Sequence, residues 1–137
     1  MEEETKEEKI DVFDISAPKE ILSKFGPDWA TATLAIKKWN EKKEAIDKVI
    51  AEADTPKLQP GDYSGLFEVL KKLAGDAHST VAQYAIKAIG LLAKGLRAEF
   101  HDLALQAIPA CFAKLKEKRQ GVIDEIQQTL ENIMMCI

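Results

Sequence analysis

The chain is poor in the residues that staple small secreted proteins or carry chains through membranes. It has two cysteines, Cys111 and Cys136. They make no disulfide framework, and neither has a second ligand at metal-binding spacing. No apolar run approaches the roughly 18 residues that a membrane span needs. The opening MEEETKEEK is acidic where a signal or transit peptide is basic or amphipathic. A reducing cytosolic setting fits these absences. Histidine is equally scarce: His78 and His101 stand apart, without carboxylates or cysteines at ligand spacing, which leaves them surface or capping roles. There is no glycine-rich phosphate loop, and Asp124, Glu125 and Glu131 read as one solvated helix face. No catalytic residue, metal or cofactor is therefore expected. Nor does any stretch alternate apolar and polar residues over the length of a strand, so strands are not expected either.

What the chain does have is a helical composition, 46% hydrophobic and 31% charged, which suits a soluble domain. Its net charge of −4 is unevenly placed. Residues 1–14 hold seven acids against Lys6 and Lys9, so residues 15–137 carry a single net positive charge. The first 14 residues read as an acidic, disordered leader and residues 15–137 as one folded domain. Attraction to an acidic partner then depends on where the lysines sit, not on their total.

Apolar spacing of 3.6 residues marks about seven helices. ISAPKEILSKFG (15–26) reads as a short one, with Ser16 as N-cap, Pro18 in the first turn and Gly26 as terminator. PDWATATLAIKK follows, then NEKKEAIDKVIAEA with Ala45, Ile46, Val49, Ile50 and Ala53 on one face. After DTPKLQPGD breaks the chain, DYSGLFEVLKKLA carries the stripe Leu66, Val69, Leu70 and Leu73. TVAQYAIKAIGLLAKGL has Thr80 and Gln83 at capping-box spacing and the stripe Val81, Ala85, Ala88, Ile89, Leu92 and Leu96. HDLALQAIPACFAKLK and VIDEIQQTLENIMM close the series, the latter with Val122, Ile126, Leu130, Ile133 and Met134 in register.

These helices repeat. Val81, Ala85, Ile89 and Ala93 recur 41 residues later as Val122, Ile126, Leu130 and Met134. Leu66 and Leu70 recur 42 residues later as Ile108 and Phe112, and Ala45, Ile46, Val49 and Ala53 recur 40 residues later as Ala85, Ile86, Ile89 and Ala93. A period of ~40–47 with two helices per unit is the HEAT signature. Pro109, inside the first helix of its pair, sits where such repeats tolerate a kink. The expected fold is all-α: an α-solenoid of about three stacked helical hairpins with an N-terminal helix over one end. Stacking places all within-hairpin turns on one edge, ~8–10 Å apart. Those turns are KKWNEKK, GDAHST and KEKRQG, two of them basic, whereas the connections between hairpins are mixed or acidic.

Trp39 is the odd residue of this edge, an indole among four lysines. It lies six residues ahead of the buried stripe that starts at Ala45, hence at a hairpin tip. Two readings are open: a plug folded into the core, or an aromatic anchor for a partner. AIKKWNEKKEAIDKV, GDYSGLFEVLKKLAGD, AIGLLAKGLRAEF and IPACFAKLKEKRQGVIDEIQQTLENI resemble a TOG domain of the microtubule-polymerase proteins, most of all the second of the tandem array. The likeness runs from about Asp11 to the C-terminus. TOG domains are paddles of six HEAT repeats whose within-repeat turns bind curved αβ-tubulin, and this chain has the length of their N-terminal half. The resemblance implies that Trp39 lies against tubulin with Asn40, Lys42 and Lys43 beside it. It likewise implies Ser79, Thr80 and Val81 as second-turn contacts, and Lys116, Lys118 and Arg119 as a third-turn cluster facing an acidic surface. It places the protein in the cytoplasm with the cytoskeleton, at the microtubule, spindle or centrosome. The end around Met134, Met135 and Ile137 would meet a further repeat or, left bare, another molecule of itself. KLKEKR alone could suggest nucleic acid, but the body is near neutral and no aromatics interleave with it, so nucleic acid is not an expected partner and neither is a membrane. The rival reading is a HEAT scaffold that holds a non-tubulin partner on its broad helical faces.

Overall fold

The computed structural model describes residues 15–116 and 119–137. Residues 1–14, where the acidic leader is expected, fall outside that description. Among the described residues are six α-helices: α1 Pro27–Ala35, α2 Trp39–Ala53, α3 Ser64–Ala74, α4 Ser79–Leu96, α5 His101–Ala113 and α6 Gln120–Met134. Short 3-10 turns occupy Leu22–Lys24, Arg97–Phe100 and Lys114–Lys116. There is no strand among the described residues, only one isolated bridge between Lys19 and Leu58.

The helices form two layers. In one, α4 packs between α2 and α6; in the other, α3 packs between α1 and α5, and α3 also lies against α4. This is the stacked arrangement of a HEAT-type solenoid, as the 40–42-residue spacing requires. The apolar stripes turn inward: Leu66, Val69, Leu70 and Leu73 of α3 are buried, as are Ala45, Ile46, Val49 and Ala53 of α2. Phe67 and Phe100 meet edge-to-face at 5.9 Å in the interior. Two residues placed in register by the repeat face outward instead. Phe112 is 53% exposed and Met134 is 70% exposed, because the outer sides of α5 and α6 meet no further described helix.

The join between α4 and α6 is polar as well as apolar. Thr129 Oγ1 donates to the carbonyl of Ile86 at 2.9 Å, and Asn132 Nδ2 donates to that of Gly90 at 3.1 Å. Farther along, Cys136 Sγ lies 3.3 Å from the carbonyl of Ala93. Each buried polar side chain of α6 thus finds a partner on the neighbouring backbone, which removes the desolvation cost of burying it. Close approach is possible because residue 90 is glycine: a Cβ there would stand 2.6 Å from Thr129 Oγ1 and 3.3 Å from Thr129 Cα. Gly90→Ala is expected to force the helices apart and lower stability by about 1–3 kcal/mol, read as a drop of several degrees in the thermal midpoint by circular dichroism. An unchanged midpoint would mean the contact relaxes without strain. Both thiols are buried, and burial pushes Cys111 and Cys136 up to about 11.

The helix expected over 15–26 forms only as the turn Leu22–Lys24. Ser16 starts no described α-helix, and Gly26 does not terminate one but precedes α1 as its N-cap. The reason lies in pairing across the chain. Lys19 donates its N–H to Lys57 O at 3.1 Å and accepts from Gln59 N–H at 2.8 Å. Ala17, preceding Pro18, is also biased away from helical backbone. The partner segment is itself pinned, since Leu58 donates to Gly95 O at 2.9 Å and is almost fully buried. DTPKLQPGD is therefore a strap fastened across the end of α4, in addition to being a connection.

Candidate binding rim

The three hairpin tips are each followed by the second helix of their pair. The N-cap residues of those helices are Lys38, His78 and Arg119, 40 and 41 residues apart. All three have the same extended backbone, with φ −85°, −81° and −72°. None makes a side-chain capping hydrogen bond, although this position ordinarily favours Ser, Thr, Asp or Asn. The Thr80–Gln83 capping box is not formed, because Thr80 already lies inside the first turn of α4. Gln83 instead flanks Gly121 at the start of α6, where a Cβ would come within 3.0 Å of its Oε1.

Trp39 is the first residue of α2 and is 46% exposed. One face of its indole rests on the His78 ring, with centroids 4.3 Å apart and planes 8° from parallel. The ring is therefore neither a core plug nor a free side chain: it is seated on the neighbouring tip. His78 Nδ1 is buried without a hydrogen-bond partner among the described residues, where stacking and the backbone hold that ring. Trp29, by contrast, turns its edge to Phe25 at 5.0 Å and packs on the core.

Asp76, in the second tip, ties the other two to it. Its Oδ2 accepts from Lys42 Nζ of the first hairpin at 2.6 Å, and its main-chain oxygen accepts from Lys114 Nζ of the third at 2.8 Å. Its Oδ1 accepts from the His78 N–H at 2.8 Å, closing an Asx turn. Burial by itself would raise the Asp76 carboxyl, but the Lys42 ammonium and the His78 amide hold it below its ordinary 3.8. A depressed folded-state value means that its contribution to stability is present above that ordinary value and is lost as pH falls through the lower one. Lys43 is also occupied, donating to Asp47 at 3.0 Å and lying over the Tyr84 ring at 4.4 Å. Tip one thus touches tip two through two independent contacts, and tip two touches tip three through Lys114.

No family model matches the chain. Protein MOR1 of Arabidopsis thaliana is 39% identical over 126 residues, 92% of this chain and 6% of that protein. A chain from the structural study of microtubule plus-end tracking by XMAP215, CLIP-170 and EB1 superposes with a TM-score of 0.82 at 32% identity. That match covers 90% of this chain and 52% of the other. Another, from the study of tubulin recruitment and assembly by microtubule polymerases with TOG-domain arrays, gives 0.79 at 25% identity, covering 96% and 28%. The chain belongs to the TOG-domain family of microtubule polymerases. It spans about half of the first solved chain and a small fraction of MOR1.

Within this TOG segment, the residues singled out from the sequence separate by environment. Trp39, Asn40, Lys116 and Arg119 are exposed on the tips. Ser79 and Thr80 are half-buried in the first turn of α4. Val81 is fully buried, so its side chain belongs to the core and cannot be a contact; the first inward position of the α4 stripe falls on it. Lys42 and Lys43 are at the rim but engaged inside the molecule. Lys118 lies outside the described residues. Sequence reasoning places Asp76 and His78 on the shared edge through GDAHST but gives neither a role in the rim, treating His78 as an isolated surface or capping histidine, and it does not single out Lys114. The signal that could have found His78 is the repeat itself, since this residue falls one period after Lys38 and one before Arg119.

Proposed function

We propose that this TOG segment binds the αβ-tubulin heterodimer along the rim of its three hairpin tips, within a protein that promotes microtubule growth in the cytoplasmic cytoskeleton. The carrying observation is Trp39, a half-exposed indole seated on His78 in a line of tips that also exposes Asn40, Lys116 and Arg119. The likeness to chains concerned with tubulin recruitment and plus-end tracking supports the choice of partner. The role is binding without a chemical step. The indole supplies the desolvating anchor, and the surrounding cations add charge complementarity to an acidic surface. Since an exposed ion pair contributes only ~0–1 kcal/mol, no single lysine dominates and the electrostatic part is a sum.

Direct binding tests the proposal. Gel-filtration or sedimentation of the chain with soluble tubulin should show a complex at low ionic strength. Its yield should fall as salt rises from ~0.01 M to ~0.15 M and the screening length shrinks from ~30 to ~8 Å. No complex at low salt, or a yield indifferent to salt, would overturn it. The scaffold alternative draws on a different surface, where Leu105 and Phe112 of α5 are 47% and 53% exposed. It requires partner binding to survive reversal of charge at Lys38 and Arg119.

A further inference from the structure

We infer that the cations of the first tip divide into two roles. Lys37 and Lys38 are the outward contacts for the acidic partner, while Lys42, acting through Asp76, is a positioning residue that holds the Trp39 platform. The contact half rests on the tubulin-binding reading above; the positioning half rests on geometry within the chain.

Lys42 is poorly placed to meet a partner. It donates to Asp76 at 2.6 Å, and the two side chains are only 21% and 16% exposed. Withdrawing the ammonium toward another carboxylate would leave a shielded Asp76 without its counter-charge, so one pair would be exchanged for another with no gain. The same tether is well placed to steer the indole. Lys42 follows Trp39 by three residues, nearly one helical turn, and Asp76 precedes His78 by two. The ion pair and the Asx turn therefore fix the start of α2 and the His78 ring against each other. Lys114 reaches the same residue from the third hairpin, so Asp76 sets the spacing of all three tips. Lys43 is held by Asp47 and Tyr84.

Lys37 and Lys38 are arranged in the opposite way. They immediately precede Trp39, are exposed, and take no ion-pair partner among the described residues. Lys38 occupies the N-cap register shared by His78 and Arg119, which puts it on the rim. A lysine there is locally unfavourable. It offers no acceptor to the first helical N–H groups and sets a cation at the positive end of the helix. A local rule broken without an internal compensation is the expected mark of a functional position.

The test uses the 137-residue chain in a Trp29→Phe background, where Trp39 is the sole indole. Two quantities are read: acrylamide quenching of Trp39 without tubulin, and tubulin affinity as a function of salt. Lys42→Gln should raise quenching as the stack loosens. It should weaken affinity about fivefold, with the slope of log Kd against log salt unchanged, and Lys42→Arg should restore both quantities. Lys37→Gln with Lys38→Gln should leave quenching unchanged, weaken affinity by about fivefold or more at low salt, and flatten the salt slope. Asp76→Asn guards against a Lys42 variant that does not fold, since it keeps the Asx acceptor while removing the charge, and it should reproduce the Lys42→Gln quenching. Unchanged quenching in folded Lys42→Gln and Asp76→Asn overturns the positioning role. A salt slope flattened by Lys42→Gln and not by the Lys37/Lys38 pair overturns the division of roles. If the unsubstituted chain forms no tubulin complex, the contact role falls with the partner reading, and quenching alone decides the role of Lys42 and Asp76.

Discussion

Replacing Trp39 by alanine is expected to reduce tubulin affinity at least ~30-fold while leaving the fold nearly intact. The two effects separate because the indole is 46% exposed, lies at a hairpin tip and has one face stacked on His78. A stacked aromatic pair contributes about 0.5–1.5 kcal/mol, so the thermal midpoint should move by only a few degrees. In the proposed function, binding depends on the other face. An aromatic anchor that is fully desolvated on docking commonly costs 2 kcal/mol or more when truncated, and ~2 kcal/mol corresponds to the ~30-fold loss. Titration of the variant against soluble tubulin, paired with thermal unfolding, checks both halves. Unchanged affinity would remove the indole from the interface and the proposed function with it. A collapse of the fold would mean that the ring is structural after all.

Phe67→Ala is expected to produce the largest loss of stability, about 3–5 kcal/mol, and Phe112→Ala a loss below ~1 kcal/mol. Phe67 has no exposure, sits on α3 in the middle of its layer, and meets Phe100 edge-to-face at 5.9 Å. Truncation there removes a large apolar surface and leaves a cavity that neighbours on both sides cannot fill without moving. Phe112 has the same side chain but is 53% exposed, so its truncation creates no cavity. Urea unfolding of the two variants makes the comparison directly, since residue type is held constant and only burial differs. Equal losses would contradict the layer order of the helices. A loss of this size is a substantial fraction of the 5–15 kcal/mol that holds a domain of ordinary stability folded, so the Phe67 variant should also express poorly.

The sequence was sufficient for the repeat and for most of the core. A helix that buries one face must place apolar residues about every 3.6 positions, and a stack of equivalent hairpins must repeat that pattern at a fixed interval. The buried rows of α2, α3 and α4 follow from local periodicity, as does the sharing of one edge by three turns. The position of Trp39 at a tip followed from the same register. Local pattern also has a limit at the end of the stack. Phe112 and Met134 carry the right period but are exposed, because period determines which face points along the stack and not whether a neighbour is there to cover it.

The partners of the polar groups required the folded chain. Lys42 and Asp76 are 34 residues apart, Lys114 and Asp76 are 38 apart, and Asn132 reaches the carbonyl of Gly90 across 42. No single helix brings such pairs together. They meet only when hairpins pack at a definite distance and rotation, and a shift of an ångström or two would break every one of them. The strap is a similar case: its proline-rich composition announces a break, but its pairing with Lys19 and Gly95 depends on where α4 ends in space. The sequence by itself determined which residues are apolar, how often they recur and hence the layered solenoid, because hydrophobic burial is non-directional and reads out as period. Only the tertiary structure decided which lysines are engaged by other residues of the chain and which have no ion pair among the described residues. That depends on directional contacts between residues far apart in the chain.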